Sequence, residues 1–495
     1  VNLRAVGHLI TVTANPRQRW RALARGERIT LVVLTALIAA AVAVRLWFMI
    51  AYPAAFDGFA DAGQYMLAAG FNIFRDAQRP AGYPFFLRLL DHLSQNLTFT
   101  IGVQHAMGIA TGLLLYKSVR RTGAPPWLGL LPAAIVFFGG TGIFLEHSIM
   151  GDSLFVFLQA VAVYAAIRAL YDDRLCWPLL VGVSLGLAFW DRTVALSSAI
   201  LIPLVLLCAA PGSIRRRLLR ALTIAALVTG LIAVYVGTQY YFTGYLGYER
   251  QSAWDLYGRV ATFVDCSRFT PPRGTRFLCP TEPVNARRSQ DYFQYGPSAP
   301  APKRFVSPST APLYANAVLQ KFSIAAIERQ PLGYAAAIAH SLGRYVFPRA
   351  GEGFTPQNLR DTLLEEPNPN VVPVAAAVLY PNSLMYIRTS ATHALATYEA
   401  DTRIEGPLLI VMLIAAIVGP MFLTARTRWA AILFTLTALC SIVFASAGNG
   451  YDARYAYPTF GPLAAGAALG AWGICSFLAG AAARRRARGP VPAEG

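Results

Sequence analysis

The first residues that point to chemistry lie just beyond a long apolar run. Asp57-Gly-Phe-Ala-Asp61-Ala-Gly-Gln-Tyr65 is followed by Arg79-Pro80-Ala81-Gly82-Tyr83-Pro84. Carboxylates, tyrosines and an arginine beside a membrane surface are costly, because a charge at depth costs about 2.5–3.5 kcal/mol on insertion scales. Similar residues recur at the ends of later apolar runs: Glu146, His147 and Asp152, then Asp191 and Arg192, then Asp452, Arg454 and Tyr455. A carboxylate can take a proton from a hydroxyl. Guanidinium groups hold phosphate, through two hydrogen bonds where the geometry allows. Together these residues suit an anionic, membrane-borne substrate and a hydroxyl acceptor.

The elements that must position them follow from composition. Of the 495 residues, 55% are hydrophobic and 14% charged, with a mean hydropathy of +0.45. Several runs reach the roughly 20 residues needed to cross a bilayer. The fold class is therefore an all-α polytopic membrane protein, and the alternation of a membrane β-barrel is absent from the pattern. The net charge of +18 falls in arginine clusters, at 17–28, 120–121, 215–217, 426–428 and 484–488. All of these fall on one side if the spans alternate, as positive-inside topology requires. That topology explains the charge without nucleic acid, which is not expected as a partner. Only three lysines are present, and the abundant Arg, Ala and Gly point to a GC-rich bacterial genome.

The resulting plan has a basic cytoplasmic N-terminus over 1–28, with no cleavable signal peptide expected. A transmembrane module follows over 29–240, with an external first loop at 51–98. A large external, periplasmic region covers 241–405. C-terminal transmembrane helices cover 406–480, and a cytoplasmic tail covers 481–495. About ten spans are expected, including one over 127–145 and a short pair over 177–190 and 194–207. Within the external region, 319–347 reads as an amphipathic helix broken at Pro331, suited to lying on the bilayer. The apolar stretch 371–386 has prolines at 373 and 381, and is open to re-entrant, interfacial or spanning readings. Cys266 and Cys279 are spaced like a small disulfide loop, and an external location favours the bridge.

Five short motifs resemble those of the GT-C membrane glycosyltransferases, in the branch of the protein O-mannosyltransferases and the lipid A aminoarabinose transferase. Asp61-Ala-Gly-Gln-Tyr65-Met-Leu-Ala68 is similar to that branch's Asp-x-x-x-Tyr-x-x-Ala. Arg79 to Pro84 resembles Arg-Pro-Pro-Gly-Tyr-Pro, with Ala81 for one proline. Ser148-Ile-Met-Gly-Asp152-Ser-Leu-Phe155 resembles the second acidic motif, with Asp for the usual Glu. Gly186 to Thr193 resembles a Gly-Leu-x-x-x-x-Arg-Pro turn, and Ala453 to Pro458 resembles an Arg-Tyr-x-x-Pro start to the last helix. The likeness covers about Ile29 to Tyr240 and about Pro407 onward, and is loose in the external region.

The resemblance implies a GT-C-like helical bundle with external amphipathic helices. It also implies inverting transfer from a polyprenyl-phosphate sugar to a glycan, lipid or protein acceptor. The site would face the outside of a bacterial inner membrane, among membrane lipids. Asp61 would be the general base, with Asp57 as competitor and Asp152 as second acid. Arg79, Arg192 and Arg454 would bind phosphate; Tyr65, Tyr83 and Tyr455 would line the sugar pocket.

Simpler roles stand beside these. An aspartate before a helix is also an N-cap. Arg192 also suits a pair with Asp191, and Arg454 a pair with Asp452. Glu146, His147 and Asp152 make only a thin metal signature: no cofactor is assigned, and a divalent ion at Asp152 stays open. A flippase for lipid-linked sugars, or a surface-glycan polymerase or ligase, are the alternative functions. The flippase predicts helices broken near mid-bilayer, whereas these charges sit at span ends.

Overall fold

The computed structural model describes residues 24–56, 61–74, 77–348, 380, 381, 383 and 391–487. Helices dominate, and among the described residues the one extended pairing is a parallel bridge between Phe56 and Ser148. The membrane part opens with α1 (Arg25–Ala51), then two short helices, α2 (Ala62–Gly70) and α3 (Gly82–Asp91), then α4 (Leu97–Arg121). Next come α5 (Leu130–Phe138), α6 (Gly140–His147), α7 (Asp152–Tyr171), α8 (Cys176–Asp191), α9 (Ala195–Ala209) and α10 (Ile214–Thr243). The external unit holds α11 (Gln251–Ala261), α12 (Gln290–Tyr295), α13 (Pro300–Phe305), α14 (Tyr314–Arg329) and α15 (Pro331–Val346). The chain closes with α16 (Thr392–Asp401), α17 (Gly406–Val418), α18 (Ala425–Asn449) and α19 (Tyr457–Ala487).

Among the described residues, seven helical segments are long and apolar enough to cross a membrane. The span expected over 127–145 is instead a pair, α5 and α6, bent by 49°. The break falls at Gly139, whose ψ of 115° leaves the helix. The helices α8 and α9, 16 and 15 residues long, are the short pair that the sequence indicated. The outermost helices, α1 and α10, expose apolar side chains such as Val32, Leu46, Leu222 and Val234, as lipid-facing surfaces do.

Ion pairs gather the arginine runs at one end of the bundle. Arg120 of α4 reaches Glu27 of α1 at 3.3 Å. Arg216 of α10 pairs with Asp173, just after α7, at 2.6 Å. Thr427 of α18 donates to the Thr122 carbonyl, after α4, at 3.2 Å. The acidic and aromatic motifs therefore collect at the opposite end.

The external unit has its own core of Trp254, Tyr257, Phe293, Leu319 and Phe322. The Cys266–Cys279 disulfide is formed beside it. Pro331 stands at the first position of α15, where its missing N–H costs nothing. The apolar stripe of α14, Ala315-Leu319-Phe322-Ala326, is taken up by this core. Packing against protein therefore accounts for the apolar stripe of α14, whereas α15 buries only Ser341 and Tyr345 and leaves Leu332 exposed. The stretch 371–386 lies almost wholly outside the described residues.

Candidate active site

Five separate parts of the chain meet in one recess: the entry to α2, the segment before α3, the turn between α8 and α9, the start of the external unit, and the loop between α18 and α19. Counting space open to solvent, the recess measures about 480 Å³. It is lined by Asp61, Tyr65, Arg79, Asp191, Arg192, Glu249, Asp255, Asn449, Arg454 and Tyr455, among others.

Asp61 is the hub. It stands at the N-cap position of α2 but makes no capping bond. Its carboxylate is spent elsewhere: Oδ1 meets Arg79 Nη2 at 2.5 Å, and Oδ2 meets Arg454 Nη1 at 3.4 Å. Burial alone would raise its pKa, but Arg79, Arg454 and Arg192 overcome that and hold it below the usual carboxylate value. Asp61 is thus ionised at neutral pH. Arg79 also donates Nε to Gln64 at 3.0 Å. Arg454 donates Nε to Asp452 at 2.7 Å, so it serves two carboxylates at once.

Asp152 is fully buried behind this hub, and Arg192 Nη2 reaches its Oδ2 at 2.5 Å. Arg192 therefore pairs with Asp152 and not with its neighbour Asp191. Asp152 Oδ1 and Arg192 Nε hold no hydrogen bond, and the Asp191 carboxylate has at most a long contact with the Phe155 amide. Buried polar atoms are nearly always satisfied, so these loose ends set the cluster apart from a completed ion-pair network.

Two glycines permit the crowding. A Cβ on Gly82 would lie 2.5–2.6 Å from the Trp190 and Asp191 backbone, and one on Gly151 would strike the Asp191 carboxylate.

Tyr65 lines the recess, with its ring 5.2 Å from that of Tyr83. Burial and the nearby Asp61 charge push the Tyr65 hydroxyl's pKa upward, so it stays a neutral donor. Tyr455 also lines it, and accepts from Asn449 at 3.1 Å. Tyr83 is placed differently: it is fully buried behind the recess and donates to Gln104 at 2.8 Å. Asp57 lies outside the described residues.

Glu146 and His147 are committed to a buried network. Arg45 grips Glu146 through Nε at 2.8 Å and Nη2 at 2.9 Å. His105 lies 2.8 Å from Glu146 and 3.1 Å from His147, whose Nε2 meets the Tyr52 and Ala54 carbonyls. Among the described residues, no group of three or more His, Cys, Asp and Glu is placed to hold a metal ion.

The sequence reading did not single out Glu249 and Asp255, at the start of the external unit. Burial pushes Glu249 up to about 7, helped by Asp255, and pushes Asp255 up to about 6 against the pull of Arg79. Their signal was position: they follow directly on a span that ends at this mouth. Arg45 was also missed, although a lone arginine in an apolar run asks for a partner.

Comparison with known families adds an independent finding. Residues 78–238 match the family model described as dolichyl-phosphate-mannose-protein mannosyltransferase, a family of the GT-C superfamily. A comparison with curated proteins gives no match. The matched stretch contains Arg79, Tyr83, Asp152 and Arg192, and it bears out the resemblance drawn from the motifs. The match, over about a third of the chain, supports a membrane glycosyltransferase of GT-C type that uses a lipid-linked sugar.

Proposed function

We propose that this chain transfers a sugar from a polyprenyl-phosphate donor to an acceptor hydroxyl at the external face of a bacterial inner membrane. Envelope glycan, lipid and protein all fit as acceptor, and hexose and pentose both fit as sugar. The observation that carries the reading is Asp61, ionised and held between Arg79 and Arg454 in a recess that also holds Arg192. The arginine-rich end of the bundle is cytoplasmic by the positive-inside rule, which turns the recess outward.

In this mechanism the acceptor oxygen attacks the anomeric carbon from the side opposite the phosphate. The bond from that carbon to the phosphate oxygen breaks as the new glycosidic bond forms, so configuration inverts. Asp61 takes the acceptor proton, and the lipid phosphate leaves as an anion. Arg192 and Arg454 stabilise the leaving charge, the usual main term where charge develops in a closed site. Asp152 fixes Arg192 in place.

The arginines have a second effect. In the empty site they hold Asp61's proton affinity low. An arriving phosphate competes for Arg79 and Arg454 and returns basicity to Asp61 when it is needed. Each carboxylate oxygen also has a second lone pair for the incoming hydroxyl.

The test uses the full chain in nanodiscs with a panel of polyprenyl-phosphate sugars, reading release of prenyl phosphate. Mass spectrometry of envelope glycans from a deletion strain then names sugar and acceptor. No release from any donor, together with an unchanged envelope, would refute the proposal.

A further inference from the structure

Among the described residues, the external unit carries a buried cation with no carboxylate paired to it. Arg259 of α11 is 6% exposed. Its Nε and Nη2 have no hydrogen-bond partner. The groups that act on it electrostatically are the Tyr334 and Tyr345 hydroxyls and a second cation, Arg344, with no carboxylate among them. Asp255, one turn earlier on the same helix, turns instead to the recess.

Arg259 lies against the loop between α18 and α19. A Cβ on Gly450 would sit 3.3 Å from its Nη1, and the positive φ of 77° at Gly450 suits glycine. Gln290 is close by and donates to the Asp255 carbonyl at 3.3 Å. A small rotation of Gln290 would give Arg259 one neutral bond, but no charge. Arg344 stacks on Tyr451, 4.1 Å from its ring, at the same loop. The Tyr345 hydroxyl donates to the Asp452 carbonyl at 3.1 Å, next to Arg454.

A buried guanidinium is tolerated when an anion completes it. Among the described residues no carboxylate is paired with Arg259, and the seam lies beside the recess, which Asn449 lines next to Gly450. We propose that Arg259 anchors a second anion subsite, for a phosphate-like group held between α11 and the α18–α19 loop, with Arg344 adding to the field. It is separate from the Arg79, Arg192 and Arg454 set. The group can come from a prenyl phosphate, from an anionic phospholipid headgroup or from free phosphate. The subsite does not depend on the role given to Asp61.

The experiment compares wild type and Arg259→Gln, as full chains in phosphatidylcholine nanodiscs. Three probes are titrated separately: farnesyl phosphate, phosphatidylglycerol doped into the disc, and inorganic phosphate. Melting is recorded without and with each probe. Without a probe, Arg259→Gln should melt at or above wild type, because an uncompensated charge has been removed. With the matching probe, binding should weaken about tenfold or more, as loss of a charge-assisted contact implies. Arg259→Lys should fall between, since it keeps charge but not the fork. A response to farnesyl phosphate alone names the prenyl lipid, one to phosphatidylglycerol names a headgroup, and one to inorganic phosphate names the free anion. Unchanged affinity for all three probes would overturn the proposal. So would a probe-free Arg259→Gln protein that melts well below wild type, because the guanidinium would then be holding the protein together.

Discussion

Two buried arginine–carboxylate groups sit at the same end of the bundle, and they differ in how completely they are satisfied. In the first, Arg45 gives Nε and Nη2 to Glu146 and Nη1 to the Ala41 and Phe137 carbonyls. His105 and His147 extend it to the backbone that follows α1. In the second, Asp61, Asp152 and Asp191 face Arg79, Arg192 and Arg454, and several atoms are left without partners. A complete network holds a structure in one form. On the proposed reading, the incomplete one at the recess is the reactive site, so the same residue types serve as scaffold in one place and as receptor in the other, and the unspent bonds distinguish them.

The contrast is sharpest under Asp61→Asn. Transfer should fall by about 10²–10⁴-fold, the range for loss of a general base, while folded yield holds and donor binding does not weaken. Near-normal turnover in a single-turnover assay would remove Asp61 from the chemistry. Glu146→Gln should do the reverse. Breaking a buried pair from one side costs about 3–5 kcal/mol, so folded yield and melting temperature should drop sharply. Whatever folds should transfer sugar at an ordinary rate per molecule. If yield is normal and turnover collapses, the first network belongs to the reaction after all.

Arg454→Lys is the next test in size. Lysine keeps the charge but loses the fork that serves Asp61 and Asp452. Donor KM should rise several-fold and acceptor KM should hold. An unchanged donor KM would leave Arg454 as a clamp for the loop.

The pH profile tests the effect of phosphate on Asp61. The acid limb of kcat/KM for donor reports the free enzyme, where Asp61 is held low, and that of kcat reports the complex. The acid limb of kcat should therefore lie at higher pH. Coincident limbs would mean that phosphate leaves the Asp61 pairs intact.

The smallest effect concerns the opposite wall. Glu249 is pushed up to about 7 from an ordinary 4.5, chiefly by burial. A raised carboxyl pKa means that folding favours the neutral acid. That contribution is complete below pH 4.5 and is lost as pH climbs through about 7. Glu249→Gln should raise the melting temperature by a few degrees at pH 8 and change little at pH 4. Equal shifts at both pH values would count against the raised value.

Much of this was legible in the residues. Asp61, Arg79, Arg192 and Arg454 stood out because charge at the end of an apolar run is expensive unless used, and all four line one recess. Tyr83 shared a motif with Arg79, yet its ring points into the core; a motif places neighbours along the chain and says nothing of which way each side chain turns. Glu249 and Asp255 were hidden because nothing in a stretch of polar loop says which residues fold back over the mouth. Cys266 and Cys279 were readable from spacing and side alone. The break at Gly139 was not, because an apolar count cannot tell a bent span from a straight one.

The parallel bridge between Phe56 and Ser148 has a consequence for traffic through the site. The Phe56 amide donates to the His147 carbonyl at 3.0 Å, and the Ile149 amide donates to the Phe56 carbonyl at 3.3 Å. The backbone at Phe56 and the loop leading to Asp152 are thereby stitched into one jaw, backed by the Arg45 network. A jaw fixed in this way cannot gape without undoing buried bonds. On the proposed reading, this side of the recess keeps its shape while one carrier lipid leaves and the next arrives.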